Sequence, residues 1–268
     1  MKCFEMTCAS LLPFLLFALG FALTACGGDA QDQQSDYSGP TQLEVEGATD
    51  RLLVYTKTSG WRHDSIEAGV EAVKRLGSDN GFSVKHTEDP AYFSPDNLSR
   101  YQAVLFLNTT EDVFSRDDQR QAFKAFIQNG GGFAGVHSAT DTEYEWPWFG
   151  ELVGARFSNH PNNPNVRQAV LEVVNRNHPA TRPLPERWER EDEWYNFSFI
   201  SGATQVLLRL DTDSYEGSDH PGNHPIAWYH DFDGGRAFYT GLGHTKESFE
   251  EPLFLDHLLG GILYALGR

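Results

Sequence analysis

Positive charge is scarce in this sequence, and the shortage excludes one class of partner. The 268 residues include 21 lysines and arginines against 38 aspartates and glutamates, which gives a formal net charge of -17. No cluster of lysines and arginines offsets this charge, so the phosphate backbone of a nucleic acid would be repelled. We therefore expect no nucleic-acid partner and favour a neutral ligand.

Cysteine is limited to three residues, Cys3, Cys8 and Cys26. The first two lie in a segment predicted to be removed, so Cys26 would be the one cysteine of the mature chain. We therefore expect neither a disulfide nor a thiol nucleophile in the folded domain. P-loop and H-E-x-x-H motifs are also lacking, and Gly130–Gly132 precedes a predicted strand, which is the wrong context for a phosphate loop.

The first 25 residues have the organisation of an export signal. Lys2 is followed by the apolar run Leu11–Leu23, which is shorter than the about 20 residues that a membrane span needs. The run ends in Leu23-Thr24-Ala25-Cys26, which resembles the bacterial lipobox that precedes a lipidated cysteine. The predicted organisation is a lipoprotein signal peptide over residues 1–25, a flexible tether over 26–47 and one domain over 48–268. The protein would then be exported and held by its lipid on the periplasmic or cell-surface side of a bacterial membrane.

Short apolar segments alternate with helical patterns in the first half of the domain. The predicted strands are Leu52–Tyr55, Phe82–Thr87, Ala103–Leu107 and Gly132–Val136. The predicted helices are Ile66–Asp79, with Asp64 and Glu67 as a capping box, and Ser115–Gln128. This alternation is typical of right-handed βαβ units, so the predicted fold class is α/β with a parallel sheet.

The second half of the domain has a different pattern. Its predicted strands are Ala169–Val174, Gln205–Leu210, Ile226–Tyr229 and Arg236–Tyr239, the last two joined by a hairpin-like turn. A closing helix is predicted to start at Glu251-Pro252. These strands are expected to be additional and antiparallel.

Histidines follow the predicted strands at the ends where ligands bind in parallel sheets. His63, His137 and His244 each lie at or just beyond such a strand end. Loops on one edge of a sheet face one crevice, so we expect these side chains to converge, with His160 and Glu193 as candidates to join them.

This group predicts a metal site. The predicted zinc ligands are His63, His137 and His160, with Glu193 as a candidate fourth and His244 as the first replacement for any of them. A bound cation would polarise a carbonyl or activate a water. The ligands come from separate loops without a spacing motif, so hydrogen-bonding and proton-transferring histidines without a metal are the open alternative.

A serine nucleophile is a second alternative. Gly135–Ala139 lies where a nucleophile elbow would be, although it lacks the G-x-S-x-G spacing. Ser138 could act there with His63 as its base, but the sequence does not fix that contact.

Five motifs in order resemble the trehalose-utilisation (ThuA-like) family: Gly60–Ile66, Gly130–Ser138, Asp192–Tyr195, Pro225–Trp228 and Gly241–Thr245. The resemblance implies a class I glutamine amidotransferase-like fold. This is a flavodoxin-like sandwich whose mostly parallel central sheet has helices on both faces. That fold normally presents a catalytic cysteine, and His137 stands about where the cysteine would be. The resemblance therefore implies no amidotransferase activity.

The resemblance also implies use of trehalose or a related disaccharide, including 3-keto sugars supplied by sugar dehydrogenases of the same pathway. The predicted substrate contacts are Trp61, Arg62, Ser138, Asp141, Trp146 and Tyr195. The predicted catalytic residues are the carboxylates Asp64 and Glu193, for proton transfer, and the imidazoles His137 and His244.

The leading hypothesis is therefore a hydrolase or lyase that acts on a glycosidic bond. Two alternatives stay open: a surface lipoprotein that binds sugar without turnover, and an interaction module on a degenerate amidotransferase fold. Clustered ionisable residues favour the enzyme, since a binding protein has little reason to converge several imidazoles.

The lipid anchor can be tested by substitution. Cys26→Ser removes the predicted attachment site, so the protein should leave the membrane fraction. Fractionation after a high-salt wash measures this. Retention of the variant with the membranes would contradict the lipoprotein assignment.

Overall fold

A computed structural model describes residue 39 and residues 41–268. The predicted signal peptide, the predicted lipid site Cys26 and most of the predicted tether lie outside the described residues. Among the described residues, no helix combines the length and apolar character that crossing a membrane requires.

The described chain alternates helices and strands before it becomes mainly β. The strands are β1 Gln42–Leu43, β2 Arg51–Tyr55, β3 Ser83–Thr87, β4 Ala103–Leu107, β5 Gly132–Val136, β6 Ala155–Asn159, β7 Val166–Val173, β8 Arg187–Glu193, β9 Asn196–Ile200, β10 Gln205–Leu210, β11 His224–Phe232 and β12 Gly235–Thr240. The helices are α1 Ile66–Asn80, α2 Pro95–Leu98, α3 Asp117–Gln128, α4 Pro147–Val153 and α5 Pro252–Leu266. Short 3₁₀ helices span Pro90–Tyr92, His137–Asp141 and Glu247–Glu250.

Ten strands form one sheet in the order β1-β3-β2-β4-β5-β12-β11-β10-β7-β8, and β6 pairs with β9 separately. Strands β3, β2, β4, β5 and β12 are parallel. The strands beyond β12 are antiparallel to their neighbours. The predicted α/β class is confirmed. The predicted additional strands continue the same sheet and are antiparallel to their neighbours, with one correction: β12, predicted among them, is antiparallel to β11 but parallel to β5.

Strand β8 was not predicted, because six of its seven residues are charged. Its burial nevertheless alternates: Trp188, Arg190 and Asp192 are buried, while the residues between them are exposed. Strand β1 lies within the predicted tether, where Gln42–Leu43 pairs with β3.

The start of α1 differs from its prediction. Ser65 precedes the helix, and its side chain makes no capping hydrogen bond. The predicted capping box is absent, since Asp64 pairs with Lys246 at 2.9 Å and Glu67 pairs with Arg62 at 2.7 Å. The predicted stop at Gly81 is confirmed, with φ of 73° in the left-handed region.

Helices cover both faces of the parallel half. On one face Phe106 and Phe133 pack against Phe123 of α3 and Phe149 of α4. On the other face α5 lies so close to β5 that a Cβ at Gly132 would be 1.9 Å from the Ala265 oxygen. This close approach needs glycine. Because the last turn of α5 contacts the first residue of β5, the helix runs antiparallel to the parallel strands. The first turn of α5 therefore lies near the carboxyl ends of these strands.

Buried histidines give the fold a predicted acid sensitivity. His257 is fully buried between the Ala180 oxygen, 2.8 Å away, and Thr240 Oγ1, 3.1 Å away. Burial lowers its pKa from 6.5 to about 4, as it does for His86, His178 and His224. The unfolded chain therefore binds more protons between pH 6.5 and 4, and folding stability falls as the pH falls through that window.

We predict that His257→Gln makes this pH dependence shallower, by up to about 1.4 kcal/mol per pH unit. At pH 7.5 the variant should be less stable by about 1–3 kcal/mol, because the two hydrogen bonds are disturbed. Urea unfolding at pH 7.5, 6 and 5 measures both effects. An unchanged slope would show that His257 does not titrate on unfolding.

Candidate functional site

Four side chains meet at the edge of the sheet where the parallel strands end. His63 follows β2, His137 follows β5 and His244 follows β12. Glu193 is the last residue of β8, which runs in the same direction as β12. Their ligand atoms, one from each residue, all lie within 4.8 Å of one another. We call these four residues the His–Glu cluster.

Three atoms of the cluster are in closer contact. His137 Nε2 lies 3.1 Å from His244 Nδ1 and 3.4 Å from Glu193 Oε2. His244 Nδ1 lies 3.2 Å from the same carboxylate oxygen. His63 stands beside them, with its ring centre 4.9 Å from that of His137 and 5.1 Å from that of His244.

His137 occupies a constrained turn directly after β5. Its φ is 49°, in the left-handed region that non-glycine residues rarely adopt. The turn aims the imidazole back over the sheet edge, where Nδ1 lies 3.0 Å from the Gly241 oxygen. A carbonyl oxygen can only accept, so Nδ1 carries the proton, and in the neutral ring Nε2 points its lone pair into the cluster.

Burial and charge set the protonation of the cluster in opposite directions. Burial, together with neighbouring His137 and His244, lowers the pKa of His63 to about 2, so His63 is neutral. Burial opposes ionisation of Glu193, but its contacts with His137 and His244 outweigh burial and hold the pKa of Glu193 well below the usual range. Burial lowers the pKa of His244, but the hydrogen bond and the negative charge of Glu193 together raise it by more. The pKa of His244 therefore lies above its usual value.

A buried carboxylate supports the cluster from behind. Asp192 accepts hydrogen bonds from the backbone N–H groups of Gly243 (2.8 Å), His244 (3.1 Å) and Glu193 (3.0 Å). Arg190 pairs with it at 3.2 Å. The loop after β12 and the end of β8 are thereby tied to one side chain.

A cleft of about 610 Å³ opens onto the cluster. Its lining residues are Trp61, Arg62, His63, Asp64, Asp141, Phe157, His160, Asn165, Glu193, Tyr195 and His244. The volume is within the range of small-molecule sites. Trp61 is 74% exposed, whereas Tyr195 is buried. The centre of the Tyr195 ring lies 4.1 Å from that of His137 and 4.2 Å from that of Phe157.

The structure brings most of the predicted site residues to this cleft. His160 lies beside the cluster, with Nδ1 3.5 Å from Glu193 Oε1, but the tighter group contains His244 instead. Asp64 lines the cleft with a side chain that is 78% exposed, and Asp141 accepts a 2.6 Å hydrogen bond from Tyr144. Arg62 also lines the cleft while bound to the carboxylates of Glu67 and Glu88.

Two predicted substrate contacts lie elsewhere. Trp146 stacks on Trp148 at 4.9 Å and packs against Phe114, so the aromatic core holds its ring away from the cleft lining. Ser138 is fully buried, with Oγ 3.4 Å from His63 Nδ1. The contact expected for a serine nucleophile therefore exists, but the hydroxyl faces the protein interior rather than the cleft lining.

Sequence reasoning missed Phe157 and Asn165 at the cleft. Asn165 Nδ2 donates to Glu193 Oε1 at 2.8 Å. It stands in the run Asn162-Asn163-Pro164-Asn165, which has the composition of an ordinary turn and gave no signal. Phe157 belongs to β6, a strand that its sequence did not predict.

The fold and the site together define an α/β protein with a histidine- and carboxylate-lined cleft at its sheet edge. The sequence model of the trehalose-utilisation (ThuA) family matches residues 51–265. The chain therefore belongs to the trehalose-utilisation family, as its motifs predicted.

Solved structures show the same fold. A ThuA-like protein of Bacteroides uniformis superposes with a TM-score of 0.70 and 24% identity, covering 85% of this chain and 95% of that one. A ThuA-like protein of Parabacteroides merdae gives 0.64 and 20% over 82% and 91%. A β-galactosidase from Bacillus circulans gives 0.51 and 13%, covering 82% of this chain but 31% of the enzyme. No curated protein sequence matches the chain.

The supporting role of Asp192 yields a stability prediction. Asp192→Ala leaves three backbone N–H groups and Arg190 without their buried acceptor, so we expect a loss of about 3–5 kcal/mol in unfolding free energy. Asp192→Asn keeps one acceptor oxygen and should lose less. Urea denaturation measures both variants.

The matched control is Glu191→Ala, on the same strand but exposed, which should change stability by no more than about 0.5 kcal/mol. If Asp192→Ala were as stable as this control, the carboxylate would not be supporting the cluster.

Proposed function

We propose that the protein is a hydrolase or lyase of carbohydrate utilisation that acts on trehalose or a related disaccharide, including 3-keto forms. The observation that carries the proposal is the buried His–Glu cluster at the floor of an aromatic-sided cleft. Membership of the trehalose-utilisation family supports this substrate class. The net charge of -17 supports a neutral substrate.

The cleft supports sugar binding through two kinds of surface. The rings of Trp61 and Phe157 offer apolar faces against which a pyranose can pack, and the buried Tyr195 ring lines the cleft beside them. Asp141 and Arg62 offer polar groups to hydroxyls. Trp61 is proposed as the outer platform because a single exposed indole at a cleft rim has no packing role to fill.

The reacting end is proposed to be the cluster. Glu193 is ionised and in contact with His137 and His244, so these three residues can hold or move a proton at a sugar hydroxyl or glycosidic oxygen. Asp64 at the rim is the second proposed carboxylate. Convergence of imidazoles favours turnover over binding alone.

The fold is proposed to be the flavodoxin-like sandwich of class I glutamine amidotransferases. Numbered along the chain, the parallel strands follow the order 2-1-3-4-5, which is the flavodoxin-like order. His137 stands in a strained turn after β5, as a nucleophile would, but an imidazole there supports no amidotransferase chemistry.

We further propose that the protein is exported and lipid-anchored through Cys26, with the anchor as its only membrane attachment. The lipobox-like residues Leu23–Cys26 support this location. Sugar dehydrogenases that generate 3-keto sugars are proposed as partners in the same pathway. A non-catalytic sugar-binding lipoprotein is the alternative that the following experiment separates.

The purified protein should convert trehalose or a 3-keto-disaccharide to new products, detected by chromatography. Glu193→Gln should lower the rate by at least about 10²-fold, which is the lower range for a positioned proton-transferring group. Asp64→Asn should also lower it, because the Asp64 carboxylate lines the cleft and is the second proposed proton-transferring group. Binding without product would support the sugar-binding alternative for these sugars.

Glu191→Gln is the matched control, because it makes the same change on the same strand at an exposed position. Its rate should equal that of the unaltered protein. Full activity in Glu193→Gln would remove the cluster from the reaction, and full activity in Asp64→Asn would remove that carboxylate alone.

A further inference from the structure

Three atoms of the His–Glu cluster form a triangle of the size that a transition-metal ion requires. Its edges are 3.1 Å between His137 Nε2 and His244 Nδ1, 3.4 Å from His137 Nε2 to Glu193 Oε2, and 3.2 Å from His244 Nδ1 to that oxygen. Tetrahedral zinc bound at about 2.0–2.1 Å sets its ligands about 3.3 Å apart. The three edges lie on either side of that value.

We propose that His137, His244 and Glu193 bind one divalent cation of the zinc type, with a fourth position that His63 borders and that opens to the cleft. This inference goes beyond the proposed function and does not depend on it. Two imidazoles and one carboxylate are a donor set of catalytic zinc sites, in which three protein ligands leave one position open. Magnesium and calcium prefer oxygen ligands, so they suit this site less well.

The surroundings orient two of the three ligands, His137 and Glu193, as metal sites require. A metal-bound histidine typically donates its other ring N–H to a carbonyl or carboxylate, and His137 donates Nδ1–H to the Gly241 oxygen at 3.0 Å. Glu193 turns Oε2 to the histidines while Oε1 accepts from Asn165 at 2.8 Å. The ligand atoms of His137 and Glu193 are thus held by contacts that lie outside the triangle.

Burial and backbone geometry support the same assignment. His137 is fully buried and Glu193 is 3% exposed, so neither side chain is free to swing into solvent. The left-handed backbone at His137, with φ of 49°, is an unfavourable conformation for a residue with a Cβ. A side chain held at a fixed point by such a turn is suited to a coordination position.

His63 is not one of the three proposed ligands but lies next to the open fourth position. The His63 ring is near those of His137 and His244, and all four ligand atoms lie within 4.8 Å, wider than the triangle edges. His63 also lines the cleft. It therefore borders the open position, where a water or a substrate oxygen would meet the ion.

The test uses the full mature chain produced without a polyhistidine tag, stripped with a chelator and reloaded with one metal at a time. With zinc we expect about one equivalent per chain by elemental analysis and a calorimetric titration with one site. Zinc at 100-fold over its dissociation constant should raise the thermal midpoint by about 5 °C or more. Parallel titrations with Fe²⁺ (without oxygen), Mn²⁺ and Ni²⁺ identify the preferred ion.

Variants assign the ligands. Each of three variants should weaken zinc binding strongly: His137→Gln, His244→Gln and Glu193→Gln. Changing a residue that only orients a ligand costs about 10- to 100-fold in metal affinity, and loss of a ligand should cost more. His160→Gln is the matched control, because His160 lines the same cleft but lies outside the triangle. It should bind zinc with unchanged stoichiometry, as should His63→Gln. Circular dichroism checks that each variant is folded.

Less than about a tenth of an equivalent on the reloaded wild-type chain, with no thermal shift, would overturn the proposal, whatever the variants do. Unchanged binding in all three ligand variants would also overturn it, because the ion would then lie elsewhere. Loss of binding in His63→Gln would overturn the open fourth position. None of these measurements uses a sugar, so failure of zinc binding would leave the proposed enzyme standing, and absence of turnover would leave the metal site standing.

Discussion

The arrangement of the site depends on one buried carboxylate. Asp192 binds the backbone N–H groups of Gly243, His244 and Glu193, so it joins the end of the antiparallel half of the sheet to the loop that closes the parallel half. Its charge is met by Arg190, which is itself almost fully buried. Without this tie, the end of β8 and the β12–α5 loop would share no backbone anchor near the cluster.

The curl of the sheet makes that tie geometrically feasible. In the hydrogen-bonding order β8 is five strands away from β5, yet Glu193 contacts His137. The antiparallel half reaches the site by folding over α5 and the turn before it: Trp188 Nε1 donates to Glu251 at 2.9 Å, and Arg190 donates to Ser248 at 2.8 Å. These two hydrogen bonds of β8 thus position Glu193, the carboxylate of the His–Glu cluster, at the end of the strand.

The parallel half supplies the histidines by a different means. Parallel strands end at one edge, and the loops that leave them carry His63, His137 and His244 to the same point. The strained turn at His137 resembles in position and geometry the elbow that presents a nucleophile in related architectures. The imidazole at that place is the group on which the proposed metal coordination and proton transfer depend.

The sequence by itself determined the four parallel strands β2 to β5, the longer helices α1, α3 and α5, and the histidines at strand ends, because each of these follows from the pattern of residues close together in the chain. Tertiary structure alone decided that His244 rather than His160 joins the tight cluster, since that choice depends on how the Asn159–Asn165 segment and the β12–α5 loop pack. It also decided that Trp146 belongs to the core, where Phe114 and Trp148 offer it aromatic partners. The charged strand β8 was hidden for the same physical reason. Its inward residues Trp188 and Arg190 bond to Glu251 and Ser248 in the turn before α5, and no local pattern reports a partner that is remote in the chain.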